Sequence, residues 1–468
     1  MNHAIIGNCQ YSALIDEGGA VVWLCWPRFD ASFVFGDLLD PDGGRFEITS
    51  PDTARITRAY VKNTNILVTR FETARGDFEV IDFAPRFVNY GRMFNPTMLV
   101  RIVRPLRGEP TIRVACRPTY DYGRTRPLVH WGSNHLQYDG FPNRLRLTTN
   151  SPRTYVHEER AFVLRETQYF VLTWGAPLEA PLADTCEVFL VETRKYWQSW
   201  IKHCSMPDRH QEDVIRSALT LKLHQFEDTG AIIAATTTSI PEAPGSGRTW
   251  DYRYSWLRDA YFTLSAFRHL GQFEEMERFI DFLRNIMEAS PERLQPLYTI
   301  SGSANIEEHV LDHLRGYRGD GPVRVGNAAA GHVQHDVYGE MILAMEPLFL
   351  DQRFTIDDGH RPVRLLARLV EHIAVNLTRP DAGIWEFRST QQVHTFSLLM
   401  HWAGSRSALR VAEALGLDDL ATKSRSLADS AAAEIETRCW NEARQCYTQA
   451  ISSDHVDASL LMMVTMGF

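Results

Sequence analysis

Ten consecutive residues, Trp250-Asp251-Tyr252-Arg253-Tyr254-Ser255-Trp256-Leu257-Arg258-Asp259, hold four aromatic rings, two arginines and two aspartates. Flat rings cover the C–H faces of a pyranose, and charged forks hydrogen-bond its hydroxyls, so this stretch has the means to hold a sugar. The same residue types also serve a core at a helix start, with Arg258 and Asp259 as a structural ion pair. A second stretch, Gly383-Ile384-Trp385-Glu386-Phe387-Arg388, sets one carboxylate between two aromatics and beside an arginine. Desolvation in such a place raises a carboxyl's pKa, as a general acid working near neutral pH requires. A surface Glu386 paired with Arg388 is the plainer alternative.

These side chains need elements to position them. Up to about Trp174 the chain reads as β. Ile66–Phe71 and Phe78–Phe83 flank Ala74-Arg75-Gly76-Asp77, a hairpin turn by composition. Further strand-like runs fall at Thr111–Ala115, Arg144–Thr148 and Tyr169–Thr173, and antiparallel sheets packed as a sandwich are the simplest arrangement. A helical linker follows around Val188–Cys204. From Gln211 the period becomes helical, with stripes such as Ile215, Leu219, Leu223, Phe226 and Val363, Leu366, Val370, Ile373. Helices are expected near 211–227, 256–270, 272–289, 330–348, 361–377, 396–415 and 418–438, with Gly271 and Gly416 as left-handed stops. A last one near 455, covering the apolar run His455–Met466, is expected to be buried on most sides.

The totals narrow the class. A chain of 468 residues points to two domains, and 44% hydrophobic with 23% charged residues secures a sizeable core. A net charge of −9 gives no general attraction to nucleic acid or anionic lipid. Seven scattered cysteines without a C-x-x-C pair fit free thiols in a reducing compartment better than disulfides or zinc. The amino end lacks the basic and apolar regions of a signal peptide, and no run approaches 18 apolar residues, so a cytoplasmic protein is expected. His332, His335 and Asp336 share one face if helical, but they lack the zinc-helix pattern and read as a polar or solvated face, so no metal is expected. Arg101, Arg104, Arg107 and Arg113 read as a solvated basic surface. Pro244–Arg248 is glycine-rich without being a phosphate loop and reads as a flexible edge to a pocket.

Three stretches in order resemble glycoside hydrolase family 15: residues 250–259, Gly-Tyr-Arg-Gly-Asp-Gly-Pro-Val-Arg-Val-Gly-Asn-Ala-Ala at 316–329, and 383–388. The amino end agrees, with Ile6-Gly7-Asn8 and Gly18–Asp30. The resemblance implies an N-terminal antiparallel β-sandwich (1–185), a helical linker (186–210) and an (α/α)6 catalytic barrel (211–468). It implies an exo-acting, inverting hydrolase that releases glucose from non-reducing ends of α-glucosides, with no cofactor and an oligosaccharide or disaccharide as partner. By motif match Glu386 is the general acid, Arg258 and Asp259 grip the hydroxyls of the terminal glucose, and Tyr252 and Trp256 wall that subsite. Trp385 is added from its place beside the acid.

The sequence departs from the family in three respects. Twelve helices make the barrel and about eight are legible, so its C-terminal helices are expected to be missing. The segment that carries the family's general base has no counterpart, and no carboxylate here takes that role by match. Ser397-Leu398 differs from relatives that carry a basic residue after the serine. Two alternatives stay open: an α,α-trehalase of the same family, and a non-catalytic sugar-binding or regulatory module.

Overall fold

The structure is a computed structural model, and it describes residues 2–289, 292–354 and 362–468. Contacts divide the chain into two compact units, neither of them continuous. The first takes Met1–Asp228, Ala235–Arg253 and His309–Val325; the second takes Thr229–Ala234, Tyr254–Glu308 and Gly326–Phe468.

Two antiparallel sheets make the first unit. One has the order 4–7, 12–15, 21–25, 45–49, 111–117, 162–163, with Phe33–Phe35 added to Val21–Cys25. The other runs 128–131, 135–139, 145–149, 168–174, 98–108, 76–83, 67–73, 53–60. Strand side chains alternate between faces, and the inner sets meet: Ile6, Ala13, Phe46, Ile48 and Val114 pack with Phe71, Leu99, Val103, Leu147 and Phe170. The expected hairpin is present, Leu67–Thr73 pairing with Gly76–Phe83 in a register that sets Thr73 against Gly76.

The outer faces are covered too. After a single helical turn, α1 (Arg153–His157), the 21-residue α2 (Leu182–Lys202) lays Leu182, Cys186, Phe189 and Leu190 on Val100, Ile102 and Val171. On the other sheet, Leu311 and Val323 from the late segment pack on Val22, Trp23 and Leu39. Helix α3 (Gln211–Leu223), expected to open the barrel, packs within this unit: Arg216 donates to the Thr64 carbonyl at 3.1 Å.

One arginine of the expected basic surface lies in the core instead. Arg101 is fully buried, forks onto Asp82 at 2.7 and 3.2 Å, and donates to the Phe46 carbonyl at 2.6 Å. Its strand partner on both counts is the register pair Arg101↔Asp82, which the sequence spacing of 19 residues conceals.

The second unit is built from helix pairs. Helices α4 (Leu257–Leu270), α6 (Asp336–Leu350) and α8 (Thr395–Leu415) pack on one another, and each is followed by a partner. The partners are α5 (Phe273–Ala289), α7 (Val363–Asn376) and α9 (Asp418–Arg438). Residues of α6 are buried nearly all round, whereas α5 and α7 bury one stripe. An inner helix followed by an amphipathic outer one is the repeating layer of an (α/α) barrel. Gly271 and Gly416 end α4 and α8 in left-handed conformation, φ +74° and +67°. The helix expected at 330–348 starts only at Asp336, after a short 3₁₀ turn at Ala328–Gly331; residue 361, the expected start of α7, lies outside the described residues.

The last apolar run does not form the long buried helix that its composition suggests. It makes a 3₁₀ turn at Ala458–Leu461 and the five-residue α10 (Met462–Met466), where Met463 is buried and Val464 is 83% exposed. Asp457 caps the turn by accepting from the Ser459 N–H at 2.7 Å, so helix starts later than the hydrophobic run does. All seven cysteines are free thiols. Among the described residues no helix is long and apolar enough to cross a membrane.

Candidate active site

The aromatic decapeptide proves to be a crossing between the two units, because residues up to Arg253 belong to the first and residues from Tyr254 to the second. Within the first unit Asp251 and Arg253 form a fully buried ion pair at 2.7 Å, and Arg253 donates to the Ala31 carbonyl at 2.6 Å. That pair is therefore spent on structure and offers no fork to a ligand. Tyr252 donates its hydroxyl to Glu242 at 3.4 Å, and Trp250 donates to the same oxygen at 3.0 Å. Pro244–Arg248 is the exposed loop joining Thr238–Pro241 to Thr249–Asp251.

In the second unit a two-residue strand, Ser255–Trp256, pairs with Leu297–Tyr298 and leads straight into α4. The buried stripe Leu257, Ala260, Tyr261, Leu264, Phe267 fixes the rotation of α4, and its first turn then presents Arg258 and Asp259. Arg258 reaches across to two other segments. Its Nη1 donates to Gln334 Oε1 at 2.7 Å and lies 3.2 Å from Asp336 Oδ2, while Nη2 lies 3.2 Å from Glu386 Oε1. Glu386 Oε1 also accepts from Trp256 Nε1 at 2.6 Å and from Gln334 Nε2 at 3.2 Å. Glu386 is thereby brought together with Trp256 and Arg258, as their side-chain chemistry allows.

The sequence neighbours of Glu386 are not its spatial neighbours. Trp385 is 50% exposed and donates its indole N–H to Asp457 at 2.6 Å, and Arg388 pairs with Glu308 at 3.0 Å. The indole against the acid is Trp256, so both expected partners, Trp385 and Arg388, are replaced. The cause is local: Glu386 has a left-handed backbone, φ +56°, which turns the chain and sends the flanking side chains elsewhere. Trp256 is 2% exposed, so it holds the carboxylate by its N–H and has almost no ring face left to wall a sugar.

The electrostatics follow from burial. One guanidinium faces several acids: burial works against the charge of Arg258, but Asp336 and Glu386 outweigh it and hold its pKa above the usual value. Burial raises Asp336 and Asp259, and Arg258 pulls both back down. Glu340, one turn further along α6, has both carboxyl oxygens buried without a hydrogen-bond partner among the described residues. Burial lifts its pKa well above the ordinary value, and the charge of Asp336 adds to the rise.

At Glu386 the three donors all converge on Oε1, and Oε2 accepts from none of the described residues. A carboxyl gripped on one oxygen carries any proton on the other, and its side chain is 20% exposed. Such a group can hand a proton to an oxygen atom that approaches Oε2.

Gln334, Asp336 and Glu340 were not singled out for this role by their sequence context. His335 caps α6 and His332 precedes it in irregular chain, so His332, His335 and Asp336 share no helical face. Nor is that segment solvated: Asp336 is fully buried, and burial takes His335 down to about 4.

Residues 208–468 match the family described as glycosyl hydrolases family 15, and residues 2–158 match a trehalase-like N-terminal family. A trehalase from Thermoplasma volcanium is 30% identical over all of this chain and 75% of its own. One from Mycolicibacterium smegmatis is 31% identical over all of this chain and 74% of its own. A solved bacterial glucoamylase complexed with acarbose superposes with a TM-score of 0.64 at 13% identity, covering 97% of this chain and 70% of that one. That likeness is one of fold, a β-sandwich followed by a helical barrel. The family match spans more than half of the sequence; the chain belongs to glycosyl hydrolases family 15, and is a glycoside hydrolase rather than a sugar-binding module.

Proposed function

We propose that this hydrolase cleaves α,α-trehalose with inversion, and that Glu386 donates the proton to the glycosidic oxygen. The observation that carries the acid assignment is the split use of its carboxyl: Oε1 accepts three hydrogen bonds, which leaves Oε2 to hold and release a proton. Asp259, the next residue after Arg258, accepts from no other side chain among the described residues and takes the hydroxyls of the glucose beside that proton. Inversion further requires a carboxylate that draws a proton from water across the ring, roughly 6.5–9.5 Å from the acid.

Trehalose is favoured over the maltose-type substrates first expected because full-length relatives are named trehalase, and because the N-terminal region is itself trehalase-like. Initial rates on trehalose, maltose, isomaltose and panose test the substrate, and proton NMR of the first turnovers tests the mechanism. Trehalose is expected to be hydrolysed fastest. Each turnover gives one β-glucose from the attacked ring and one α-glucose from the departing one, before mutarotation mixes them. Glu386→Gln is expected to lower kcat by about 10²–10⁴-fold. Release of α-glucose alone contradicts inversion, and a preference for maltose moves the protein to the glucoamylase-type activity.

A further inference from the structure

Asp381 lies five residues before Glu386 and is completely buried. Its carboxylate serves three separate segments. Oδ2 accepts from the His335 N–H at 2.8 Å, at the head of α6, and from the Ser397 hydroxyl at 2.8 Å, in the first turn of α8. Oδ1 accepts from the Gly383 N–H at 3.1 Å, in its own loop. Backbone bonds extend the anchor: the Asp381 N–H reaches the Gln392 carbonyl at 2.9 Å, and the Ala382 N–H reaches the Val333 carbonyl at 2.9 Å.

The loop so tied is the one that delivers Glu386. Its turn closes through the Glu386 N–H on the Gly383 carbonyl at 3.1 Å and the Phe387 N–H on the Ala382 carbonyl at 3.0 Å. Gly383 has φ +67°, and a Cβ there would stand 2.6 Å from the His394 ring. Glu386 has φ +56° with a full side chain, a conformation that persists only where its surroundings over-determine it. Asp381 ties the start of that loop to α6 and α8, while Trp256, Arg258 and Gln334 hold the Glu386 side chain itself.

The shell of Asp381 is all donors. No lysine or arginine pairs with it among the described residues; His394 Nε2 stands 4.0 Å from Oδ1, and burial keeps that imidazole below its usual range. Three donors fit a carboxylate. A proton on either oxygen removes the charge that strengthens all three ties, because hydrogen bonds to an ionised acceptor are the stronger ones.

We propose that Asp381 is the positioning residue of the proton donor: its ionised carboxylate locks the 381–387 loop to the heads of α6 and α8, and Glu386 Oε2 addresses the substrate only while that lock is made. The inference rests on the reading of Glu386 as the proton donor. Its ionisation then enters the pH profile. The titratable groups that face it are Asp336 and His335 at the head of α6, and His394 at the head of α8 with Asp457 beyond it. Burial, with Asp336 adding, raises Asp381 to about 7, so the lock loosens as pH falls through neutrality.

The test uses the full chain with Asp381→Asn and Ser397→Ala, reading kcat, KM, the pH profile and hydrogen exchange of residues 379–390. Asn keeps an acceptor but turns an NH₂ group toward a donor, so a misplacement of about 1 Å is expected to cost kcat on the order of 10²-fold. KM stays within about threefold, since Arg258 and Asp259 are carried by α4 and Arg258 keeps its bonds to Gln334 and Asp336 when the loop moves. Asp381→Asn also loses the acid limb near neutrality, and amides 382–387 exchange faster while those of α4, α6 and α8 keep their rates. Ser397→Ala breaks one tie of three and shows the same signature at smaller amplitude. Wild-type kcat in Asp381→Asn despite faster loop exchange overturns the inference, and so does faster exchange spread through α6 and α8. If the wild-type chain leaves every glucoside intact while Asp381→Asn still frees the loop selectively, the lock stands and the hydrolytic reading of Glu386 falls.

Discussion

Four carboxyls, Asp259, Asp336, Glu340 and Glu386, share the field of one guanidinium at Arg258. Two of them are bound to it directly, at 3.2 Å each, which leaves Glu340 buried and without a partner among the described residues. A group of this kind opposes folding. Below the unfolded-state pKa it is protonated in both states and contributes nothing. Above that value the unfolded chain ionises and the folded one does not, so stability is lost as pH rises toward the elevated folded pKa. Glu340→Gln removes the difference. The variant is expected to be more stable than wild type at pH 7 and about equal to it near pH 4. Urea unfolding at the two pH values measures this, and equal midpoints at pH 7 would show that Glu340 is not held neutral. The burial of such an acid beneath the site is the stability cost of surrounding Arg258 with negative charge.

At the scale of elements, the site depends on how closely α6 and α8 approach. They cross at two glycines: a Cβ on Gly339 would lie 2.0 Å from the Met400 carbonyl oxygen, and one on Gly404 would lie 2.5 Å from the Gly339 Cα. Backbone cannot yield as a side chain can. Gly404→Ala is expected to cost about 1–3 kcal/mol and to lower the melting temperature by several degrees. Because α6 carries Asp336 and α8 carries Ser397, the same variant is expected to lower kcat; an unchanged melting temperature would refute the crossing. Much of this frame was legible in advance. Hydrophobic period with glycine stops located α4, α5, α7, α8 and α9, and β-branched and aromatic runs between turn residues located the strands around 67–83, 111–117 and 168–174. The loop that carries Glu386 was legible too, because Pro380 and Gly383 interrupt the helical period after α7. Its partners were not. Gln334 is 52 residues away, and Asp381 acts on backbone N–H groups that every residue possesses, so no residue type announces the contact. The head of α6 misled for another reason: His335 and Asp336 are polar, and the pairing of Asp336 with Arg258, 78 residues distant, is what the sequence does not announce and its burial relies on.

At the scale of the molecule, the two units are threaded through each other in sequence. A division near residue 210 follows the change of period, but the first unit also holds α3, Ala235–Arg253 and His309–Val325. Trp23 donates to the Thr236 carbonyl at 2.7 Å, Thr238 donates to the Arg324 carbonyl at 2.6 Å, and Asp40 accepts from the Arg315 N–H at 2.9 Å. A fragment beginning at residue 211 strands those segments without their sheet. It is expected to be insoluble or to lack a cooperative melting transition, whereas the full chain melts cooperatively; a well-folded 211–468 fragment would show that the late segments do not need the sandwich. The placement of Leu311 and Val323 on Trp23 and Leu39 also bears on how the protein is made. The ribosome delivers those two residues roughly 290 residues after Trp23, on the order of 15–60 seconds later at about 5–20 residues per second. Through that interval the face of the nascent sheet bearing Trp23 stands open to water, and to whatever chaperone meets it first.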